Sequence, residues 1–240
     1  MKVPLSHILF LLLLLSLPGI AQEQPLTMDN DPHYSPVFNN EYCRAYTVSL
    51  DRLEETKPIV HQHDWVRINL GGTVEEAWGG TVYTRNAYDD PDGYIISFLF
   101  PVNRLSLRNP GGDAYRAMII EITKDDDSRN RLYDPSLAHF AQTVGPGVDP
   151  RASYVNSLNK TSVEIMNVQL TSGDSKQLSA VGVGALLIAI TDLDLTFERK
   201  DAEAQEVHLS KGEVQWFPGS APTLKNAGRD PARFAVLEMK

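Results

Sequence analysis

Two histidines two positions apart, His61 and His63, are the residues of this chain whose spacing most directly suggests chemistry. Side chains at positions i and i+2 of a β-strand point to the same face, so both imidazoles would be offered to one point. Imidazoles bind divalent metals, but a metal site generally needs a third protein ligand. Asp64, Glu75 or Glu76 could supply it, although Asp64 has the opposite strand parity. We predict His61 and His63 as metal ligands; the alternative is a hydrogen-bonded, partly buried pair without metal.

Trp65 and Arg67 share the strand parity of the two histidines. A guanidinium on a buried strand face would disfavour a cation and favour a ligand that carries a carboxylate. We therefore predict that Arg67 binds a small ligand and that Trp65 offers a stacking surface beside it. The alternatives are an Arg67 that points outward after a bulge and a Trp65 that only packs.

The composition limits the class of protein to which such a site could belong. The chain has 240 residues, 42% of them hydrophobic and 22% charged, which is typical of a folded protein. Its formal net charge of −9 makes nucleic acid and anionic membrane surfaces poor partners. The single cysteine, Cys43, excludes an intramolecular disulfide and a multi-cysteine metal site, and we predict it to be a buried strand residue.

Residues 1–21 have the pattern of a cleavable signal peptide. Lys2 supplies a positive start, residues 8–17 are apolar, and Pro18, Gly19 and Ala21 follow as helix-breaking and small residues. An apolar helix of this length would span only about 15 Å, roughly half of a bilayer core. We predict cleavage near Ala21 and a secreted or periplasmic protein without a membrane anchor in the mature chain.

The remaining chain contains an internal duplication. Residues 107–113 (LRNPGGD) and 224–230 (LKNAGRD) match at an offset of 117, and residues 48–50 (VSL) and 168–170 (VQL) match at an offset of 120. Because such a repeat decides the architecture, we predict two domains, one over residues 38–123 and one over 156–240. An N-terminal arm over residues 22–37 precedes them, and a linker over 124–155 joins them.

Each copy has the pattern of short strands separated by turns. Residues 45–50, 116–122 and 162–170 alternate in polarity, and the denser apolar runs 94–100 and 181–190 fit strands covered on both faces. No segment has sustained helical periodicity, and the 15 prolines and 16 glycines favour turns. The predicted fold class is all-β, with two tandem jelly-roll β-barrels.

Two segments of the chain resemble the sequence motifs of cupins. Residues 211–219 (KGEVQWFPG), followed by Asn226, are similar to the second cupin motif, in which a Gly-acidic-Val turn leads through a strand and a Pro-Gly turn to an asparagine. Residues 58–63 (PIVHQH) resemble the His-x-His of the first motif. The resemblance covers almost all of the mature chain and implies an exported two-domain cupin with two cupin-type barrels.

The resemblance also implies a metal site, of which this sequence retains only part. Cupins usually bind iron, manganese, nickel or zinc through three histidines and one glutamate inside the barrel. His61 and His63 match two of these ligands, whereas the glutamate would fall at Arg67 or Ile68 and the third histidine at Leu105. The motif of the first copy is therefore degenerate.

The second copy lacks all of these ligands. The offset of 120 places Val181 and Val183 where the two histidines stand, and Leu187 and Ile188 where the glutamate would be. No histidine occurs around residues 221–223 either. We expect no metal in the second barrel, because an apolar strand of this kind suits a packed core.

Three functions remain open at this point. The first is binding of a small, carboxylate-bearing molecule in the N-terminal barrel, non-catalytic or only weakly metal-dependent, with the second barrel used for packing or homodimerisation. The second is a mononuclear-metal cupin enzyme, of the dioxygenase, isomerase or decarboxylase type, that holds Fe, Mn, Ni or Zn on His61 and His63. The third is a structural or assembly protein.

Overall fold

The computed structural model describes residues 26–78, 81–86, 95–99, 102–124, 142–144, 151–178, 182–199, 203–219 and 222–240. The predicted signal peptide lies outside these residues, as does most of the predicted linker. The described residues form strands, apart from turns, irregular segments and one 3-10 turn over Met28–Asn30, which confirms the all-β class. No helix among them has the length and apolar character needed to cross a membrane.

The first barrel is built from a six-stranded and a four-stranded sheet, both antiparallel. The large sheet has the order β1 (Tyr34–Asn39), β2 (Cys43–Leu50), β9 (Tyr115–Ile122), β4 (Trp65–Gly71), β7 (Ile95–Leu99), β10 (Gln142–Val144). The small sheet has the order β3 (Ile59–His61), β8 (Val102–Arg108), β5 (Thr73–Trp78), β6 (Thr81–Asn86).

The second barrel repeats this arrangement with one strand fewer among the described residues. Its large sheet has the order β11 (Tyr154–Asn159), β12 (Val163–Leu170), β19 (Ala232–Met239), β14 (Gly184–Ala189), β17 (Val214–Pro218). Its small sheet has the order β13 (Ser175–Gln177), β18 (Thr223–Asn226), β15 (Leu193–Glu198), β16 (Gln205–Leu209). Since the two orders correspond strand for strand, the duplication seen in the sequence is a duplication of the fold.

Three strands differ from the sequence-based boundaries, and the smallest difference is at β11, which begins at Tyr154 inside the predicted linker. Strand β1 begins at Tyr34, inside the segment predicted as an arm, and pairs along β2. Residues 142–144 of the predicted linker form β10, which extends the first barrel's large sheet at the edge of β7. A linker segment therefore belongs structurally to the first barrel.

Strand alternation assigns each large sheet two buried faces. On β4, Val66 and Ile68 belong to an apolar cluster that contains residues of both barrels, such as Ile165 and Leu237, so it lies between them. Trp65 belongs instead to the interior cluster of the first barrel. Each large aliphatic side chain buried in the shared cluster contributes about 1.5–3 kcal/mol relative to exposure, which joins the barrels firmly.

The single cysteine lies in this shared cluster. Cys43 is fully buried at the start of β2, which confirms the predicted location. Burial raises the pKa of its thiol to about 12. The thiol is therefore protonated at neutral pH and acts as a small apolar side chain.

The repeated turn that revealed the duplication has the same hydrogen bonds in both copies. Nδ2 of Asn109 donates to the carbonyl oxygens of Leu50 and Asp113, at 3.1 and 2.9 Å. Nδ2 of Asn226 makes the equivalent bonds, both 2.9 Å, to Leu170 and Asp230. Both asparagines are buried, so the repeat is explained by backbone groups that need partners.

Candidate functional site

The candidate site lies on the inner face of β4 in the first barrel. Trp65, Arg67 and Asn69 alternate with apolar residues that face the second barrel, and all three are buried. Arg67 is 1% exposed, so the structure places it inside the barrel and not on the surface. Trp65 and Arg67 thus lie on the same face of β4, as their spacing in the sequence predicts.

Arg67 forms a buried ion pair with Glu76, which reaches it from β5 in the small sheet. Nη2 of Arg67 donates to Oε1 of Glu76, and both side chains are 1% exposed. Burial alone would lower the pKa of the guanidinium, but the charge of Glu76 raises it above its ordinary value. Arg67 is therefore protonated, and the pair brings no net charge into the barrel.

Part of the Arg67 guanidinium has no protein partner in the described part of the chain. Its Nε and Nη1 atoms are buried and make no hydrogen bond there. Donors left this way in a low-dielectric interior are costly unless something accepts from them. They mark the polar part of this barrel where a bound molecule could add hydrogen bonds.

The wall beside Arg67 is polar and well connected. Tyr115 donates to Oδ1 of Asn69 at 2.6 Å, and both side chains are buried. Burial raises the pKa of Tyr34, so this tyrosine is neutral at physiological pH. The arrangement offers hydroxyl and amide groups next to a fixed guanidinium.

His61 lies inside the same barrel, at the end of β3. Its ring stacks on Trp65 with 4.3 Å between the centroids and 10° between the planes. Nδ1 lies 3.4 Å from Oε1 of Glu121, but neither ring nitrogen makes a hydrogen bond within the described residues. Trp65 thus stacks on protein, and His61 adds a second polar side chain to the same region as Arg67.

His63 lies in a different environment from His61. Strand β3 ends at His61 after an irregularity in its pairing with β8, so the strand alternation does not continue to His63. His63 is partly exposed and lines a small pocket of about 70 Å³ with Arg44, Tyr46 and Glu121. The expectation of two imidazoles side by side on one strand face is not what the structure has.

The residues present do not fit the cupin metal site. Leu105, in the place of the third histidine, is buried and pairs with Ile59. Glu76 is paired with Arg67, and Glu75 lies 3.5 Å from the partly exposed Arg108. Among the residues that the structure describes, no group of three or more His, Cys, Asp or Glu side chains could hold a metal ion.

The inner face of β14 in the second barrel is apolar. Ala185, Leu187 and Ala189 of β14 occupy the places of Trp65, Arg67 and Asn69, and all belong to the second barrel's interior cluster. Phe197 and Phe217 stack in the same interior with 4.6 Å between centroids. This face lacks counterparts of Trp65, Arg67 and Asn69, whereas Glu238, the counterpart of Glu121, is buried opposite Ala185.

Sequence reasoning missed the main partner of Arg67. Glu76 was considered only as a metal ligand, whereas its carboxylate pairs with the guanidinium. Glu121, which faces both His61 and the pocket of His63, was noticed only as half of a repeated Arg/Glu pattern. Its even spacing from Tyr115 and Ala117 on β9 was the available signal that it faces the barrel interior.

Sequence comparisons place the chain near no described group. No protein-family model matches it, and no curated protein matches it by sequence.

Structural comparisons are more informative. The chain is similar to a cupin 2 conserved barrel domain protein from Leptotrichia buccalis (TM-score 0.52, 13% identity, 86% of this chain and 88% of that chain covered). It is also similar to procruciferin, an 11S globulin from Brassica napus (TM-score 0.61, 8% identity, 83% and 77% covered).

A third similar structure is the oxalate decarboxylase of Bacillus subtilis, described with Mn(II) centres (TM-score 0.53, 8% identity, 90% and 76% covered). These neighbours include an enzyme and an 11S globulin, so at such low identity they define architecture and not activity. With its two jelly-roll barrels of matching strand order, the chain has the two-barrel cupin fold.

Proposed function

We propose that the first barrel binds a small molecule with hydrogen-bond acceptors, a carboxylate being the best match, and that it does so without a metal. The observation that carries this proposal is Arg67, a fully buried guanidinium with two nitrogens that make no hydrogen bond to described residues. His61, whose two ring nitrogens also make no hydrogen bond to described residues, stacks on Trp65, and the Arg67 guanidinium lies 6.0 Å from the centroid of the same ring. A ligand that reaches the guanidinium nitrogens would satisfy donors that otherwise cost free energy.

The chemistry of the donors favours an acceptor-rich ligand. A carboxylate accepts charge-assisted hydrogen bonds from a guanidinium, which are about twice as strong as neutral ones. Because Glu76 already balances the charge of Arg67, a neutral acceptor such as an amide competes better than it would at an unpaired arginine. Acid and amide pairs of the same shape therefore measure how much of the recognition is electrostatic.

Binding to a panel of small carboxylates and their amides tests the proposal. Acetate, oxalate, malonate and succinate, with the corresponding amides, would be titrated into the purified protein by calorimetry. We expect saturable binding of at least one carboxylate. The double variant Arg67→Leu/Glu76→Leu, which copies the second barrel without leaving an unpaired charge, should bind it at least about tenfold more weakly.

A matched control removes a different ion pair. Glu75→Gln/Arg108→Gln abolishes the partly exposed contact next to the site in sequence and should leave binding unchanged. If no panel member binds, or if the double variant binds as well as the wild type, the proposal is wrong. The structural or assembly function would then be the better hypothesis.

The mononuclear-metal enzyme is the competing function, and elemental analysis separates it from ours. Its support is the resemblance of the fold to a decarboxylase with Mn(II) centres. We expect less than one equivalent of Fe, Mn, Ni or Zn per chain. One equivalent that disappears in His61→Ala/His63→Ala would overturn the metal-free proposal.

We also propose that the mature protein is exported, as residues 1–21 suggest. Sequencing the N-terminus of the protein recovered from the periplasm or medium tests this. A first residue at or near Gln22 is expected, and an intact Met1 in the cytoplasmic fraction would contradict export.

A further inference from the structure

The two barrels differ at one sheet edge that their symmetry makes equivalent. In the first barrel, β10 pairs antiparallel with the outer edge of β7, Gln142 opposite Phe98 and Val144 opposite Ile96. Strand β17 occupies the place of β7 in the second barrel. Among the described residues, β17 pairs only with β14, and its other edge has no strand beside it.

The register identifies which residues of β17 correspond to the covered part of β7. Ile68 of β4 pairs with Ile96, and the matching Ile188 of β14 pairs with Val214. The segment equivalent to residues 96–98, over which β10 lies, is therefore 214–216. This open segment is as long as the strand that fills its counterpart.

A groove of about 450 Å³ borders β17 at residues 215–218, which overlap this open segment. It runs between β17 and β16, the edge strand of the small sheet, and its apolar lining includes Phe197, Val207 and Phe217. Trp216 is held from the other side by stacking on Phe38 and Tyr42, at 5.9 and 5.8 Å. The groove is therefore bordered by packed side chains and by the outer edges of β17 and β16, beside which no further strand pairs in the part of the chain that the structure describes.

The charge around the groove is set by two exposed glutamates. Glu203 and Glu206 line it, together with Arg199. The guanidinium of Arg199 is used within the protein, because Nη2 donates to the carbonyl oxygen of Pro218 at 3.0 Å and the group lies over the ring of Phe197. Among the described lining residues the carboxylates outnumber the guanidinium by one, and Glu206 also lies 3.7 Å from Nε2 of His208. An incoming segment would thus meet a small excess of negative charge from the described residues.

We propose that this groove binds an extended, basic peptide segment of a partner protein, which adds as an antiparallel strand to β17. An exposed strand edge presents unpaired N–H and C=O groups, which a peptide can pair with while its side chains enter adjacent pockets. The chain itself shows that a short segment, β10, binds this edge in the first copy. Lysine or arginine side chains beside the central residues would pair with Glu203 and Glu206.

A labelled peptide of defined sequence tests the proposal. The probe is nine residues long, with the β10 sequence Gln-Thr-Val, an alanine on each side, and two lysines at each end. We expect saturable binding by fluorescence anisotropy, and no binding of the same peptide with glutamates in place of the lysines. The variant Glu203→Lys/Glu206→Lys should weaken binding of the lysine peptide by about tenfold or more and permit binding of the glutamate peptide.

A matched control and a local measurement separate strand addition from general charge attraction. Asp113→Lys, an exposed change in the first barrel, should leave lysine-peptide binding within about twofold. Hydrogen exchange should slow at residues 214–216 when the peptide is added and stay unchanged at 96–98. Equal binding by the charge-reversed protein, or no added protection at 214–216, would overturn the proposal. Protection that grows with protein concentration in the absence of peptide would also overturn it, since the occupant would then be a second copy of the chain.

Discussion

The inner walls of the two barrels show how one fold can hold opposite chemistries. The first wall has Trp65, Arg67 and Asn69, and the second has Ala185, Leu187 and Ala189 at the same places. The opposite faces of β4 and β14 are both apolar, and their residues belong to the cluster between the barrels. The duplication has therefore kept the face that joins the barrels and changed the face that lines them.

The difference matters because a polar wall is stabilised only when its charges are paired. The inner face of β14 is stabilised by apolar burial, at about 1.5–3 kcal/mol for a large aliphatic side chain. The wall of the first barrel depends on Glu76, since a buried guanidinium without its carboxylate is strongly unfavourable. Replacing both Arg67 and Glu76 with leucine should make this part of the first wall similar in stability to the part around Leu187 in the second.

The largest expected effect comes from breaking the buried ion pair. Glu76→Leu leaves Arg67 charged and buried, and we expect the free energy of unfolding to fall by about 3–5 kcal/mol in urea titrations. Arg67→Leu/Glu76→Leu, which makes this part of the wall like the second barrel, should recover most of the loss. Glu75→Gln, at the next position and in a partly exposed ion pair, should cost less than about 1 kcal/mol. A loss below about 1 kcal/mol for Glu76→Leu would show that the pair does not stabilise the wall as described.

A smaller effect is expected at the repeated asparagine turn, which has the same hydrogen bonds in both barrels. Asn109→Ala and Asn226→Ala each leave equivalent backbone groups without their amide partner, so each should lower the free energy of unfolding by about 1–3 kcal/mol. The same urea titrations measure both variants. Costs that differ by more than about 1 kcal/mol would contradict the equivalence of the two turns.

The variant His61→Phe should change the free energy of unfolding less than either asparagine substitution. It keeps a ring on Trp65 and removes two buried nitrogens that make no hydrogen bond to described residues. We expect the free energy of unfolding to stay within about 1 kcal/mol of the wild type, or to rise, because no satisfied hydrogen bond is lost. A loss of more than about 2 kcal/mol would indicate that His61 has a structural hydrogen-bond partner.

The smallest effect concerns an ion pair of the second barrel that is exposed to solvent, in contrast to the buried Arg67–Glu76 pair of the first barrel. Nδ1 of His208 lies 2.7 Å from Oδ1 of Asp194, and this hydrogen bond raises the histidine pKa above 6.5. The associated stabilisation is fully present below pH 6.5, the pKa expected in the unfolded chain, and is lost as the pH rises through the folded-state pKa. An NMR titration should give a pKa above 6.5 for His208 and a lower one in Asp194→Asn. Equal values in the two proteins would contradict the assigned cause.

The sequence predicted the architecture better than it predicted the site. Periodicity and the repeat were enough for the two all-β barrels, because they reflect burial on both faces of each large sheet. Parity also gave the inward direction of Arg67, since β4 is regular from Trp65 to Asn69. The shared strand face of His61 and His63 is absent because β3 ends at His61, and an irregular strand end cannot be read from a two-residue spacing. The role of His63 as a metal ligand stays a prediction.

Glu76 could not be found as the partner of Arg67 for a related reason. The two residues come from different sheets of one barrel and meet only when those sheets close on each other. Spacing along the chain carries no information about that distance. A contact between side chains of the two sheets, such as the Arg67–Glu76 ion pair, therefore cannot be predicted from spacing in the sequence.

The apolar cluster between the barrels has a consequence for how this gene can change. Val66, Ile68, Ile165 and Leu237 lie in one continuous cluster that belongs to neither barrel alone. Deleting either half of the coding sequence would expose this face of the remaining barrel and favour aggregation. Each barrel therefore serves as the cover for an apolar face of the other, a role that does not depend on what either interior binds.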